Sequence, residues 1–509
     1  MNEPDGVISK PEERFERWRR RTGFWFAPLV FVALWVLPIA GLTDAAHRLL
    51  AVMGLVITLW MSEAVPLPVT ALLGPALCVL CGVSADKEVF KNFGHPILFL
   101  FLGSFLLAEA MLQHGLNRRI AFWILGLRWT GKSPARVLAA FGLITGLLSM
   151  WISNTTAAAM MFPIGIAVLS EMARQQSQET GREVRFTELK YGTGLMLVAA
   201  FGASIGGLAT PVGTPPNLIG ISFIEKSRGV EITFFQWMAF GLPLAGVLLA
   251  FLVFYLNHTC PAEAGLMGNS AVWIQAQKAQ LGPMTRAQKN VVAAFGVTVA
   301  LWLLPGVVAV FAGAESALYR WLNQHLPEGV AAVLGAALLF VLPVDRRRGE
   351  FTLTWKAATR IDWGTILLFG GGLALGDAMF STGLARWVGE GLADAAQTHT
   401  SLGLTVLFTL VAVLLTETTS NTAAANMVVP VAIAVAQGAG VDPLQPALGA
   451  CLGTSLAFML PVSTPPNAVV YGSGCVPLLK MLRHGIVLDF VSVIAVVLTV
   501  HFLVPLLMK

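Results

Sequence analysis

A chain of 509 residues in which 56% are hydrophobic and only 12% are Asp, Glu, Lys or Arg falls outside the range of soluble globular proteins, which carry about 25% charged residues. That composition excludes a soluble fold and indicates an integral membrane protein. The formal net charge of +5 reads as the basic bias of cytoplasmic loops, not as affinity for nucleic acid.

Apolar stretches of about 20 residues recur along the chain, the length of a spanning helix, whereas a β-barrel would show short alternating segments. Residues 1–22, including the run PEERFERWRRR, form a cytoplasmic lead. It passes directly into a first transmembrane helix, 23–43, expected to remain as an uncleaved anchor. Spans follow at His47–Ala64, Val65–Val83 and His95–Leu112. Cys78 and Cys81 share CxxC spacing, but with no second pair and no nearby histidine they read as ordinary buried cysteines. Gly115–Leu127 sets Asn117, Arg118 and Arg119 against Ile120, Phe122 and Trp123, the pattern of a helix lying in the interface.

Val137–Met150 is too short to span, reaches Ser153-Asn154-Thr155 and continues as Ala157–Leu169. This is a re-entrant hairpin, which survives only where it faces protein or a water-filled cavity. After the polar segment Glu171–Lys190 comes Tyr191–Leu208, then the break Thr210-Pro211-Val212-Gly213-Thr214-Pro215-Pro216-Asn217, then Leu218–Phe223: one helix unwound in its middle. Phe234–Leu256 completes the first repeat, 44–257, and 258–289 is a cytoplasmic linker.

The second repeat, 290–509, follows the same plan. Spans at Val291–Val310, Gly329–Val344 and Trp363–Phe380 precede an interfacial stretch, Gly383–Ala396. A hairpin, Leu402–Ala436, encloses Ser420-Asn421-Thr422. A broken helix, Leu448–Cys475, encloses Leu460-Pro461-Val462-Ser463-Thr464-Pro465-Pro466-Asn467, and Ile486–Leu507 is the last span. The expected fold is therefore an all-α polytopic membrane protein of about eleven transmembrane helices plus two re-entrant hairpins. Two different breaks recurring in the same order indicate a duplication, the way secondary transporters are built. With the N-terminus inside, most Lys and Arg fall on the cytoplasmic side. The C-terminus then lies outside, and the halves have opposite orientation, an inverted-topology repeat.

A Ser-Asn-Thr tip supplies N-capping oxygens to the half-helix that follows, and Pro-Pro-Asn places proline where its missing N–H has no partner. Four half-helices thus begin near mid-membrane, each N-terminus worth roughly +0.5 of a charge, on the order of +2 together if they converge on an anion. The same tips offer hydroxyls and carbonyls, hard ligands for Na⁺ beside a broken helix. None of the four breaks contains Lys or Arg. A dianion held there needs positive charge from elsewhere, and bound cations are the natural source. Alternatively, Ser, Thr and Asn merely hydrogen-bond between helices, which is a weaker account of a matched set of four.

At these motifs the chain resembles the divalent-anion/sodium symporters, which carry dicarboxylates, citrate or sulfate, and the likeness covers nearly everything after the first helix. The resemblance implies a homodimer in the plasma (inner) membrane. Each protomer would join a scaffold to a transport domain, roughly 134–223 and 400–475, that moves like an elevator. It implies one Na⁺ site at Ser149, Ser153, Asn154 and the Gly213 backbone, and another at Thr416, Ser420, Asn421 and the Ser463 backbone. The dianion would meet Ser153, Asn154, Thr155, Ser420, Asn421 and Thr422, closed by Thr214, Thr464 and Pro465. Spacing agrees independently: Ser149 and Thr416 each precede their tip serine by four, one helical turn. The halves differ where Ser463 replaces Gly213 and Asn426 replaces Ala159.

The function expected is Na⁺-coupled import of a C4-dicarboxylate such as succinate, malate or fumarate, with no organic cofactor. Alternatives are exchange or proton coupling, sulfate or citrate as substrate, and, in another class, a membrane sensor or a passive anion channel. An enzyme is disfavoured, since no nucleophile with its base stands out. Glu417 is a functional candidate as an intramembrane carboxylate, with a hydrogen-bonded structural role the plainer expectation. Asp377, Glu109 and Asp489 are expected near helix ends, solvated or interfacial. His95 is expected to be structural, and Trp25, Trp60 and Trp363 to be interfacial anchors.

Overall fold

A computed structural model of the chain describes residues 10–130, 133–229, 232–263, 270–313, 315–396 and 398–508. Helices account for nearly all of its regular structure, the exception being a small antiparallel pair, Pro343–Asp345 with Glu350–Phe351. Among the described residues seven helices are long and apolar enough to span a bilayer: Asp44–Ser62, Asp86–Gln113, Asn154–Thr180, Phe234–Thr259, Arg286–Ala312, Trp363–Thr382 and Leu478–Leu507. Ala317–His325 and Glu328–Val341, bent by 64°, add an eighth if taken together. Asn154–Thr180 is an arm of the first hairpin. The remaining members of the eleven-span layout are shorter, as in Leu67–Leu80, interrupted, or charged over half their length.

Several boundaries differ from the sequence reading for identifiable reasons. The first helix is Lys10–Val36, so the charged lead is part of it. Glu and Arg are good helix formers, and Glu16 pairs with Arg19 at 2.9 Å and Arg20 at 3.8 Å on one face. It stops short of residue 43 because Pro38 disfavours helix at the residue before it. The second arm of the first hairpin runs past Leu169 to Thr180, where Gly181 at φ 65° ends it. The linker 258–289 contains a helix, Ser270–Gln280, followed by a turn clamped by Arg119, which donates to the carbonyls of Leu281, Gly282 and Pro283 at 2.7, 2.9 and 3.2 Å.

Two expectations about single residues are corrected. Trp60 is 1% exposed, packed inside the bundle instead of lying at the interface, whereas Trp25 and Trp363 are exposed. Asp489 lies in mid-helix, because the final helix begins at Leu478 instead of Ile486.

Both halves show the same local order: hairpin arm, tip, hairpin arm, then helix, break, helix. The first hairpin is Pro134–Ser149 and Asn154–Thr180, and its companion is Lys190–Gly207 and Pro215–Arg228. The second hairpin is Ser401–Thr416 and Asn421–Gly438, with Leu444–Gly453 and Pro465–Tyr471 after it. Small residues four apart let backbones touch, as in membrane helix pairs generally. Gly142 and Gly146 meet Gly202 and Gly206 so closely that a Cβ on Gly206 would sit 2.3 Å from the Gly146 carbonyl oxygen. In the second half Gly449 and Gly453 do this against Thr405 and Thr409. The halves also interlock. Pro215–Arg228 packs on the second hairpin, and Pro465–Tyr471 on the first, while Phe201 and Phe458 meet edge-on at 5.0 Å.

Candidate functional site: paired tips and helix breaks

The first tip is built by short-range hydrogen bonds. Ser153 caps the following arm, accepting from the Thr156 amide at 3.2 Å and pairing with the Thr156 hydroxyl at 2.7 Å. Ser149, one turn before the tip, donates to Asn154 Oδ1 at 2.6 Å. The Asn154 side chain in turn lies on the companion break. A Cβ on Gly207 would stand 2.7 Å from Asn154 Oδ1 and 3.3 Å from the Gly213 carbonyl oxygen, so a larger residue there would push the Asn154 side chain aside. Thr210 adds a hydroxyl donation to the Met150 carbonyl at 2.6 Å. Ser149, Asn154, Gly207 and Gly213, from three segments, therefore meet. Ser153 is exposed, and Asn154 and Thr155 are half-buried, so the tip keeps its polar groups accessible.

The second tip keeps the central element and changes the rest. Thr416 donates to Asn421 Oδ1 at 2.7 Å and lies 2.8 Å from the Thr454 carbonyl oxygen. Ser420 occupies the cap position without a capping bond, leaving its half-buried hydroxyl uncommitted. Thr422 is buried beside it.

Each break is stapled by its asparagine in the same way. Asn217 donates to the carbonyls of Gly207 and Thr210, both at 2.8 Å, and Asn467 to Ala457 and Leu460 at 3.1 and 3.0 Å. The acceptors lie ten and seven residues back in both halves. The helices after the breaks begin at Pro215 and Pro465, with Thr214 and Thr464 at the cap and no capping bond from either. Thr464 Oγ1, Asn217 Oδ1 and Asn467 Oδ1 are buried without a hydrogen-bond partner. Buried oxygens of native structures are normally paired, so the unspent amide oxygens beside both breaks suit a cation, and the Thr464 hydroxyl suits a cation or an anion. Pro465 is exposed.

Ser463 is where the halves part. Its hydroxyl donates to Glu417 Oε2, which also accepts from the Leu460 amide at 3.2 Å, while Oε1 accepts from the amides of Phe458 and Met459 at 2.7 and 2.9 Å. Glu417, 3% exposed, thus caps the second break, the hydrogen-bonded role expected for it.

The sequence reading missed one basic group. Although no break contains Lys or Arg, Arg19 on the first helix donates to the Thr418 carbonyl at 3.1 Å, inside the second tip. Its guanidinium is flanked by Glu16 at 2.9 Å and Glu63 at 3.6 Å. Only an intramembrane continuation of the charged lead could have signalled this. Arg19→Gln should remove one charge-assisted bond worth roughly 1 kcal/mol at this half-exposed place and slow uptake by about five-fold. Initial-rate measurements on proteoliposomes containing the variant check it, and an unchanged rate makes the contact incidental.

Other singled-out residues lie elsewhere. His95 caps its helix, accepting from the Ile97 amide at 3.4 Å. Asp377 is paired with Lys226 at 2.8 Å, which also donates to Asn92 at 2.8 Å, and all three line a cavity of about 690 Å³. Cys78 and Cys81 are both free thiols. Asn426 donates to the Thr422 carbonyl at 3.1 Å and packs against Gly372.

Two hairpins and two discontinuous helices, stapled alike and carrying unspent oxygen ligands, are the architecture of a secondary transporter. The chain belongs to the sodium:sulfate symporter family, whose transmembrane-region model matches residues 20–509. It is 33% identical over 501 residues, 98% of this chain and 94% of the relative, to the sodium-dependent dicarboxylate transporter SdcS of Staphylococcus saprophyticus. It is also 33% identical over 454 residues, 89% and 84% of the two chains, to SdcS of Staphylococcus aureus. Among solved structures, the YdaH transporter of Alcanivorax borkumensis shares the fold with a TM-score of 0.56 at 14% identity, covering 95% of this chain and 97% of that one. MtrF of Neisseria gonorrhoeae does so with a TM-score of 0.53 at 12% identity, over 96% of each chain.

Proposed function

We propose that this protein is a Na⁺-coupled symporter that imports C4-dicarboxylates across the plasma membrane, with a dianion and Na⁺ bound between the two tips. The observation that carries the proposal is the matched pair of hydroxyl–asparagine contacts, Ser149 with Asn154 and Thr416 with Asn421, each beside a helix break. Sodium-dependent dicarboxylate transporters as relatives support the choice of ion and substrate. One Na⁺ would be held by Ser149, Ser153, Asn154 and the Gly213 carbonyl, the other by Thr416, Ser420, Asn421 and the Ser463 backbone. The dianion would accept hydrogen bonds from Ser153, Asn154, Thr155, Ser420, Asn421 and Thr422, with Thr214, Thr464 and Pro465 closing the site. Cations suit this place because the breaks hold no basic residue and Arg19 is already compensated by two carboxylates. Alternating access follows from moving 134–223 and 400–475 as one transport domain against the remaining scaffold, in a homodimer of inverted repeats. C-terminal residues then lie outside and the N-terminus inside.

An inward Na⁺ gradient should drive succinate accumulation in proteoliposomes, and replacing Na⁺ by choline should reduce uptake to background. Uptake unchanged in choline would end the coupling. Competition by malate, fumarate, citrate, sulfate and glutarate against labelled succinate ranks the substrates, and stronger competition by sulfate than by any C4 acid would overturn the substrate assignment. Flux without accumulation would make the protein a channel.

A further inference from the structure

Asp489 stands in the middle of Leu478–Leu498, 6% exposed, and neither of its carboxyl oxygens has a hydrogen-bond partner. It faces Glu417 and the Phe458 amide without a well-formed bond to either. The last helix is drawn onto the second break at Gly485, where a Cβ would be 2.4 Å from the Phe458 carbonyl oxygen and 2.6 Å from Met459 Cα. One turn beyond Asp489, the fully buried Ser492 hydroxyl is also unpartnered. On its other side Asp489 borders a cavity of about 540 Å³ whose walls are otherwise apolar, including Val406, Leu410 and Val493.

No positive side chain answers this second carboxyl. Of the elements packed against the helix, Ser401–Thr416 has no ionisable residue, and Leu444–Gly453 has only Cys451, turned to the Pro216 carbonyl. Phe234–Thr259 carries Tyr255, bonded to His484 at 3.0 Å, and His258. On its own helix Lys480 reaches Thr193, Arg483 and His484 lie near the start, and His501, in the turn that continues it, pairs with Gln445 at 3.3 Å. Glu417 already serves four donors as a carboxylate. Two adjacent carboxylates in an apolar site, with no basic side chain between them, repel, and one takes up a proton.

We propose that Asp489 is a proton-binding site of the transporter, its proton held toward Glu417, so that transport is linked to protons as well as to Na⁺. The inference rests on the transport reading above. Losing the proton sets a second negative charge against the Glu417 cap, which loosens the break carrying Ser463 and slows uptake.

The test is Na⁺-driven succinate uptake by the full-length protein in proteoliposomes, followed above about pH 7, where small carboxylates are fully ionised. Wild-type uptake should fall by up to about tenfold per pH unit on the alkaline limb, while Asp489→Asn, which keeps the shape and cannot ionise, stays flat. Superimposable profiles would overturn the proposal. Since the variant could lose activity through packing, infrared spectroscopy of the wild type provides a second arm. A protonated-carboxyl stretch at neutral pH, shifted in D₂O and absent from Asp489→Asn, supports the site; no such band overturns it. Absence of Na⁺-driven uptake by wild type at every pH would count against the transport reading and leave the infrared result to decide the proton site.

Discussion

Asn154→Ala and Asn421→Ala should each abolish dicarboxylate uptake while membrane insertion and thermal stability stay close to wild type. Each asparagine is the first residue of the arm after its tip and accepts from a hydroxyl one turn before it, at 2.6 Å from Ser149 and 2.7 Å from Thr416. Both are half-buried, so truncation removes little packed volume, and the hydroxyl left without this acceptor costs only about 1 kcal/mol. What is lost is the amide that accepts from that hydroxyl and that the proposed function gives to ion and substrate together. A loss of about 100-fold, or about 2.7 kcal/mol, is expected in initial rates, with the melting temperature in detergent as control. Near-normal uptake by either variant removes that residue from the site.

Glu417→Gln should act through structure. Glutamine retains Oε1 as acceptor for the Phe458 and Met459 amides but puts an NH₂ group against the Leu460 amide and the Ser463 hydroxyl. The Leu460 amide loses its acceptor at about 1–3 kcal/mol, and the Ser463 hydroxyl must turn to accept from the new NH₂ group, a large change against the stability of any domain. The expected result is a markedly lower melting temperature together with lost uptake. Unchanged melting with lost uptake would instead make Glu417 part of the binding chemistry. The first half has no equivalent carboxylate, Met150 standing where Glu417 follows Thr416, so its break relies on Thr210 bonding back to Met150.

Where the sequence reading succeeded, the information was local. The hairpins and breaks lay where Ser-Asn-Thr and Pro-Pro-Asn interrupted apolar runs, because caps and prolines act on their own backbone within a turn. Helix ends were less legible. Polar residues such as Ser170–Thr180 and Lys10–Thr22 continue helices when no glycine or proline stops them, and an apolar-segment reading ends too soon. That error displaced Asp489 from mid-helix to a supposed helix end.

The amino-acid sequence by itself determined that the chain enters a membrane, that it carries two copies of a hairpin and a broken helix, and which short polar strings interrupt them. These follow from hydropathy, capping and proline geometry, which need no distant partner. Only the tertiary structure decided what meets those strings. It brings Gly207 and Gly213 onto Asn154, Arg19 onto the second tip from roughly 400 residues away in sequence, and Asp489 beside Glu417. The physical reason is that close approach depends on how small residues let helices pack, and that a buried charge is defined by neighbours brought from elsewhere in the chain.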